Sequence, residues 1–399
     1  FFKDFFRPGL LAELAAGQRP RPNTKLGQSV PPSLRIVSPE QDAPVEAPRV
    51  VLEVEALDQG GGVEGPWLFH NGTRVRAPGR PSRQGQTVHQ QFPVALVEGE
   101  NRLEVRASSA DGSWESEPAR LWLRFEKPIE KPALFMLSVG VNKYAQNRFN
   151  LQYAADDAHA MAELFKHRGP SLYREVYITE LLDKEATRKG IALALEDFAQ
   201  KAQPRDTLIV FLAGHGMMIG ERYYFIPSEF HLEGPASLEA AIKENGLAAD
   251  ALADELTAVP ALKRLLVIDT CQSGGAVAMA LRQRGAFGLR GAIERLGRAQ
   301  GLFAIAAAAP SQEAHEVAEL GHGILSYTLL AGLHDVRAGP LRDKAIPSGP
   351  DRVADVLTWF NFASDQVPQL TRRYFGSEQD VQTSSQGMSF PLLPLEDGS

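Results

Sequence analysis

The chain has 399 residues, with 42 Lys or Arg against 49 Asp or Glu and a formal net charge of −7. That balance argues against a general binder of nucleic acid or of an anionic membrane. An apolar share of 44% can fill a core in each of the two or three domains that the length suggests, which excludes wholesale disorder.

The single Cys can form no internal disulfide and offers no Cys pair for a structural zinc, which suits a reducing, cytoplasmic interior. No apolar run approaches the roughly 20 residues of a membrane-spanning helix, so the chain reads as soluble, with no membrane partner. It starts at Phe1, and residues 1–16 lack the basic start and long apolar core of a secretory signal, so it reads as part of a longer protein. Those residues have roughly helical apolar spacing, and 18–32, rich in Pro, Arg and Asn, reads as a linker.

From 33 to 126 the texture is short alternating runs at 34–37, 50–56, 67–70, 87–96, 102–107 and 119–125. Asn71-Gly72 is a strong hairpin signal after the third run. Six or seven strands in about 95 residues predict an antiparallel immunoglobulin-like β-sandwich.

Lys127 to Pro132 marks a boundary, after which the rhythm becomes apolar strand, helix, apolar strand over 132–339. The strand runs 133–141, 207–213, 264–269 and 302–309 are continuously apolar, which implies burial on both faces of a mostly parallel sheet flanked by helices. The helices are expected at 154–168, 187–201, 248–257 and 323–333. Residues 340–399 are irregular, with a helix at 353–374 interrupted by Pro368, and read as a C-terminal extension packed on the α/β domain through Phe390 and Leu392.

Functional groups in such sheets gather beyond the carboxyl ends of the strands. Two runs end in unusual chemistry there. The run at 207–213 leads into Gly214-His215-Gly216, and the run at 264–268 leads into Asp269-Thr270-Cys271-Gln272-Ser273-Gly274-Gly275. Neighbouring strand tips would bring imidazole and thiol together. The imidazole can then stabilise a thiolate and later protonate a leaving amine, while the flanking glycines let backbone N–H groups approach a developing oxyanion. That set fits acyl transfer.

These residues resemble the caspase-like cysteine peptidases, and among them the metacaspase and bacterial caspase-like branch. The resemblance spans about 133–333. It rests on Gly140-Val141-Asn142-Lys143-Tyr144, on 151–158 opening the first helix, on Ala213-Gly214-His215-Gly216, on Asp269-Thr270-Cys271-Gln272-Ser273-Gly274, and on Gly321-His322-Gly323 before Tyr327-Thr328-Leu329-Leu330. Cys271 follows His215 by 56 residues, close to the caspase spacing of about 50. The resemblance implies a caspase-type sheet, a His215 and Cys271 dyad, and the amides of Gly216 and Cys271 as oxyanion donors.

Caspases carry Gln two residues before the nucleophile and hold a substrate aspartate with basic side chains, whereas Asp269 stands there in this chain. The metacaspase pattern also carries an acid at the start of the first helix, which Asp157 matches. Together they would form an acidic floor, so the expected substrate is a protein or peptide cleaved after Arg or Lys rather than after Asp. Ala213 stands where some metacaspases have a pocket serine. Their activating calcium cluster has no clear counterpart, the residue seven after Cys271 being Ala278, so no cofactor and no metal are expected. The segment 276–300 carries Arg282, Arg284 and Arg290 and corresponds to an activation segment in the family, so an Arg-directed enzyme could clip itself there; the competing reading is a solvated helix.

Other features read as structural. A lone Cys is usually a buried apolar residue, and an acid in a first helical turn, such as Asp157, also serves the helix dipole. Asp269 could simply orient the Cys loop. His322 precedes a helix and reads as part of a turn. Gly60, Gly62 and Gly65 match a dinucleotide fingerprint only formally, because no helix follows and Pro66 intervenes. Asn71-Gly72-Thr73 is a glycosylation sequon by pattern only. The reading of the whole is a cysteine endopeptidase regulated by accessory domains, a regulatory protein or a preceding module; the alternative is a catalytically idle caspase-like scaffold for assembly.

Overall fold

The computed structural model describes residues 30–40, 45–126, 130–232, 237–271, 287–307, 316–317, 319–336, 338–347, 352–376 and 379–395. The chain divides into two compact units, one of residues 1–70 and 75–127, the other of 71–74 and 128–399. The expected helix over 1–16 lies outside the described residues.

Over residues 33–125 the alternating runs become strands. They are β1 (Ser33–Ser38), β2 (Arg49–Leu57), β3 (Glu64–His70), β4 (Thr73–Val75), β5 (Ser82–Gln84), β6 (Thr87–Ala95), β7 (Gly99–Ser108) and β8 (Ala119–Phe125). Two four-stranded sheets result, in the orders β1-β2-β6-β5 and β4-β3-β7-β8. The pairs β1–β2, β2–β6, β5–β6, β3–β7 and β7–β8 are all antiparallel. Alternate residues such as Leu52, Val54 and Ala56 on β2 and Leu103, Val105 and Ala107 on β7 are buried, as a period of two requires. The Asn71-Gly72 hairpin forms, with φ of 51° and 87°, the left-handed pair that a tight two-residue turn needs.

The second unit is an α/β layer structure. Its elements are β9 (Leu134–Gly140), α1 (Ala154–Arg168), β10 (Val176–Leu182), α2 (Arg188–Lys201), β11 (Thr207–Ile219), β12 (Arg222–Ile226), α3 (Leu238–Asn245), β13 (Leu247–Ala248), α4 (Ala249–Ala258), β14 (Lys263–Cys271), α5 (Phe287–Gln300), β15 (Phe303–Ala307), β16 (Glu316–Val317), β17 (His322–Gly323), α6 (Ile324–Gly332), β18 (Val353–Asp355), α7 (Val356–Phe375), β19 (Val381–Ser384) and β20 (Pro391–Pro394). The sheet runs β10-β9-β11-β14-β15-β19, with β12 and β13 added beside β11. β10, β9, β11, β14 and β15 are mutually parallel.

Burial on both faces explains the unbroken apolar strands. Phe135, Leu137 and Val139 of β9 join a core with Ile191, Leu195 and Phe198 of α2 and Leu252 and Leu256 of α4. Leu134 and Met136 point into a second core with Met161 and Phe165 of α1, Leu329 of α6 and Trp359 of α7. The helices thus cover two faces of one sheet.

Three elements differ from expectation. The strand at 207–213 does not end before His215, because β11 continues to Ile219 and its second half pairs antiparallel with β12; His215 therefore sits within a strand and not in a glycine-hinged loop. The helix expected at 353–374 starts only at Val356, where Asp355 caps it with a reciprocal Thr358 bond. It runs through Pro368 without a break, since the buried stripe of Trp359, Phe360, Ala363, Val367 and Leu370 holds it across the one backbone bond that Pro removes. The C-terminal residues also give the sheet a strand, β19, antiparallel to β15, with Phe390 and Leu392 buried in the second core. Among the described residues no helix is long and apolar enough to cross a membrane.

Candidate active site

Parallel pairing of β11 with β14 sets the register Ala213 to Asp269, Gly214 to Thr270 and His215 to Cys271. Strands in a sheet lie about 4.8 Å apart, so positions 215 and 271 are lateral neighbours at the carboxyl end of the sheet. Cys271 is the last residue of β14.

His215 is 2% exposed and is held from three sides. Its backbone N–H donates to the Tyr144 hydroxyl at 2.8 Å, and the two rings lie 5.0 Å apart at 35°. Its Nε2 lies 2.8 Å from the Phe149 carbonyl. A carbonyl only accepts, so Nε2 carries the hydrogen, and Nδ1 is the basic nitrogen of the neutral ring. Phe149 belongs to the short 3-10 turn Asn147–Phe149, which follows directly on the Gly140 to Tyr144 stretch. That stretch therefore supplies Tyr144 as a support for the imidazole, a role that the motif alone did not disclose.

Gly216 is fixed by close approach. A Cβ there would fall 2.4 Å from the Tyr223 hydroxyl and 2.5 Å from Thr270 Oγ1, and those two oxygens are themselves bonded at 2.9 Å. Its backbone partner across the sheet is Phe225 on β12.

Asp157 and Asp269 come together, 3% and 8% exposed, although they lie on different elements. Asn142, just past β9, accepts from the Ala155 N–H at 3.0 Å, which ties the start of α1 to the end of the strand and brings Asp157 to the edge of the sheet. Asp157 Oδ2 accepts from the Gly323 N–H at 3.0 Å. Asp269 Oδ2 accepts from the Ser326 N–H at 2.9 Å and from its hydroxyl at 2.5 Å. A Cβ on Gly323 would lie 2.9 Å from Asp269 Oδ2 and 3.1 Å from Asp157 Oδ2, so the two carboxylates meet around one glycine at the N-terminus of α6. The partial positive charge of that helix end favours them there.

His322 joins this cluster, where its sequence context suggested only a turn. Its Nδ1 donates to Asp157 Oδ1 at 2.6 Å. Burial pushes Asp157 up to about 7, against a lowering by His322, while Asp269 adds to the rise. Burial lowers His322, but the bond and charge of Asp157 outweigh it and leave His322 raised. Ser326 and His322 were missed because each meets its carboxylate only through the fold.

Arg282 and Arg284 lie outside the described residues. Arg290 lies within α5, with its guanidinium 3.0 Å from Glu294. A helical backbone there is not the extended strand that a peptidase cleft takes. Among the described residues no group of three or more His, Cys, Asp or Glu is arranged to hold a metal ion.

The model of the caspase-domain family matches residues 135–376, which takes in every residue of this site. A solved protein of Geobacter sulfurreducens is 15% identical, with 64% of this chain and 94% of that one covered and a TM-score of 0.42. The fibronectin(III)-like modules of Clostridium thermocellum CbhA are 14% identical over 24% of this chain and 99% of theirs, with a TM-score of 0.20. Neither likeness reaches a TM-score that bears on the fold. No curated protein matches the chain.

Proposed function

Because this chain belongs to the caspase-domain family of cysteine peptidases, we propose that it is an endopeptidase working through His215 and Cys271 and cleaving after Arg or Lys. The observation that carries the dyad is the β11–β14 register, in which His215 and Cys271 are direct partners. With Nε2 committed to the Phe149 carbonyl, Nδ1 takes the thiol proton. The thiolate attacks the substrate carbonyl carbon, and the amides of Gly216 and Cys271 receive the oxyanion. Collapse breaks the C–N bond, the imidazolium hands its proton to the leaving amine, and a thioester remains. Water, deprotonated by the imidazole, then attacks the thioester, and the sulfur leaves as the thiol.

The preference for a basic residue is supported by two buried carboxylates converging on Gly323, which accept from the Gly323 and Ser326 N–H groups, the Ser326 hydroxyl and His322. Such a site attracts a guanidinium or ammonium and repels the aspartate that caspases take. The metacaspase-like branch is favoured by the same two acids. The immunoglobulin-like reading of the N-terminal strands is supported by two antiparallel sheets of four strands each, and a regulatory role is proposed for that unit.

The test uses fluorogenic peptides ending in Arg, Lys or Asp together with an Arg-chloromethylketone. Turnover of the basic peptides is expected, with inhibitor alkylation of Cys271, in which chloride leaves as the C–S bond forms, seen as an adduct in the intact mass. Cleavage of the Asp peptide alone would overturn the specificity. No adduct and no turnover would leave the idle scaffold as the better reading.

A further inference from the structure

His322 has no part in the dyad chemistry, yet it is the side chain bonded to the acidic floor. Two carboxylates this deeply buried around one glycine cannot both hold a full charge cheaply, because burial penalises each charge and each raises the cost of the other. The cluster needs a positive charge or a proton. The N–H groups of Gly323 and Ser326 supply part of it, and the His322 ring, 2.6 Å from Asp157 Oδ1 and with its side chain 23% exposed, adds to it.

The groups facing His322 account for its state. From α1 come Asp157 and Asp156, and from β14 comes Asp269, all of which favour its protonated form. The first turn of α6 has no acidic residue. The register partner on β16 is Val317, which carries no charge. The protonated form of His322, favoured by all three acids, is seated on the carboxylate oxygen that a basic guest would use.

We propose that His322 is a specificity-determining residue of this pocket: as an imidazolium it occupies Asp157 while the pocket is empty, and the substrate's guanidinium or ammonium replaces it as the imidazolium proton passes to solvent. The exchange is balanced, since one positive charge enters as one leaves. This rests on the reading that the pocket takes Arg or Lys. The exchange releases the one proton held between His322 and Asp157. It makes affinity for a basic guest rise with pH by linkage, by about tenfold per pH unit where one full proton is released.

The probe is benzamidine, whose amidinium keeps its charge throughout the range. Its binding to the full chain is measured by calorimetry between pH 6 and 8.5, in pairs of buffers with different ionisation enthalpies. Wild type is expected to release close to one proton per benzamidine at the acidic end, with release fading as pH rises. His322→Arg, which cannot give up its charge, is expected to bind at least tenfold more weakly, with no proton release and no pH dependence. Binding by wild type without proton release overturns the proposal and needs no variant to fold. So does a folded His322→Arg chain that binds benzamidine as wild type does, and so does a failure of benzamidine to bind while Arg-ending peptides are cleaved. If neither benzamidine binding nor cleavage after Arg or Lys occurs, the basic-pocket reading itself falls and the proposal with it.

Discussion

Asp157→Asn removes the charge of a buried carboxylate while keeping its shape. The folded chain holds the Asp157 proton up to about pH 7, whereas the unfolded chain gives it up near 3.8, and burial is the first cause of the difference. Between those values the folded state binds more protons, so stability falls as pH rises, and the whole cost is present above pH 7. His322 runs in the same direction. Its raised folded value gives stability that is present below the ordinary 6.5 and is lost as pH rises through the folded value. At about 1.4 kcal/mol per pKa unit, the rise from 3.8 to about 7 makes ionised Asp157 cost on the order of 4 kcal/mol at pH 8.

Asn resembles the protonated acid. It still offers an oxygen to the Gly323 N–H, which now lies 3.0 Å from Oδ2. Denaturant melts of wild type and Asp157→Asn at pH 5 and pH 8 are the assay. The variant should be more stable by that amount at pH 8 and close to wild type at pH 5. It should also lose about a hundredfold in kcat/KM for an Arg-ending peptide, the equivalent of one charged hydrogen bond. If Asn instead destabilises the chain at pH 8, the carboxylate charge is net stabilising and the burial argument is wrong.

Tyr144→Phe leaves the buried His215 N–H without the acceptor it now has at 2.8 Å, and should cost about 1 to 3 kcal/mol; because the loss touches how the imidazole is held, kcat should fall while KM stays level, which steady-state kinetics will read. Gly216→Ala forces a methyl to within 2.5 Å of the Tyr223 and Thr270 oxygens, an overpacking of about 1 to 3 kcal/mol. Thr270→Ala in the same chain should recover part of the lost melting temperature. In the N-terminal unit burial pushes Glu104 up, but the hydrogen bonds of Arg120, Arg106 and Arg102 prevail and hold it at about 2. A lowered carboxylate gives stability that is present above 4.5 and fades as pH falls toward 2, so Glu104→Gln should flatten the acid limb of a stability profile recorded between pH 2 and 6.

The sequence was legible wherever its signals were local. Period-two alternation located the longer strands of the first unit but not the exposed β5, and unbroken apolar runs located the buried parallel strands, because each pattern reports the burial of a single segment. Helix α1 begins at Ala154 and ends at Arg168, as its spacing predicts. The candidates at 215 and 271 could be singled out because each follows directly on such a run. Legibility failed where two distant segments decide one position. Gly214 and Gly216 look like hinges, yet β12 arrives from the other side of a turn and pairs His215 with Ile226, so the strand goes on. Cys271 ends its strand with His215 as its partner, but nothing local to either residue fixes that register.

His322 is the sharpest case. Its neighbours are two glycines and a helix start, which describe a turn, and its partner Asp157 stands 165 positions earlier. The pairing depends on Asn142 tying α1 to the end of β9 and on α6 bringing Gly323 and Ser326 to the same edge of the sheet. Histidine read from its own segment yields a structural role, whereas histidine read against two buried carboxylates yields a counter-ion. The difference lies in what desolvation does to charges that only the fold assembles, and for that reason the acidic cluster was less legible than the candidate dyad.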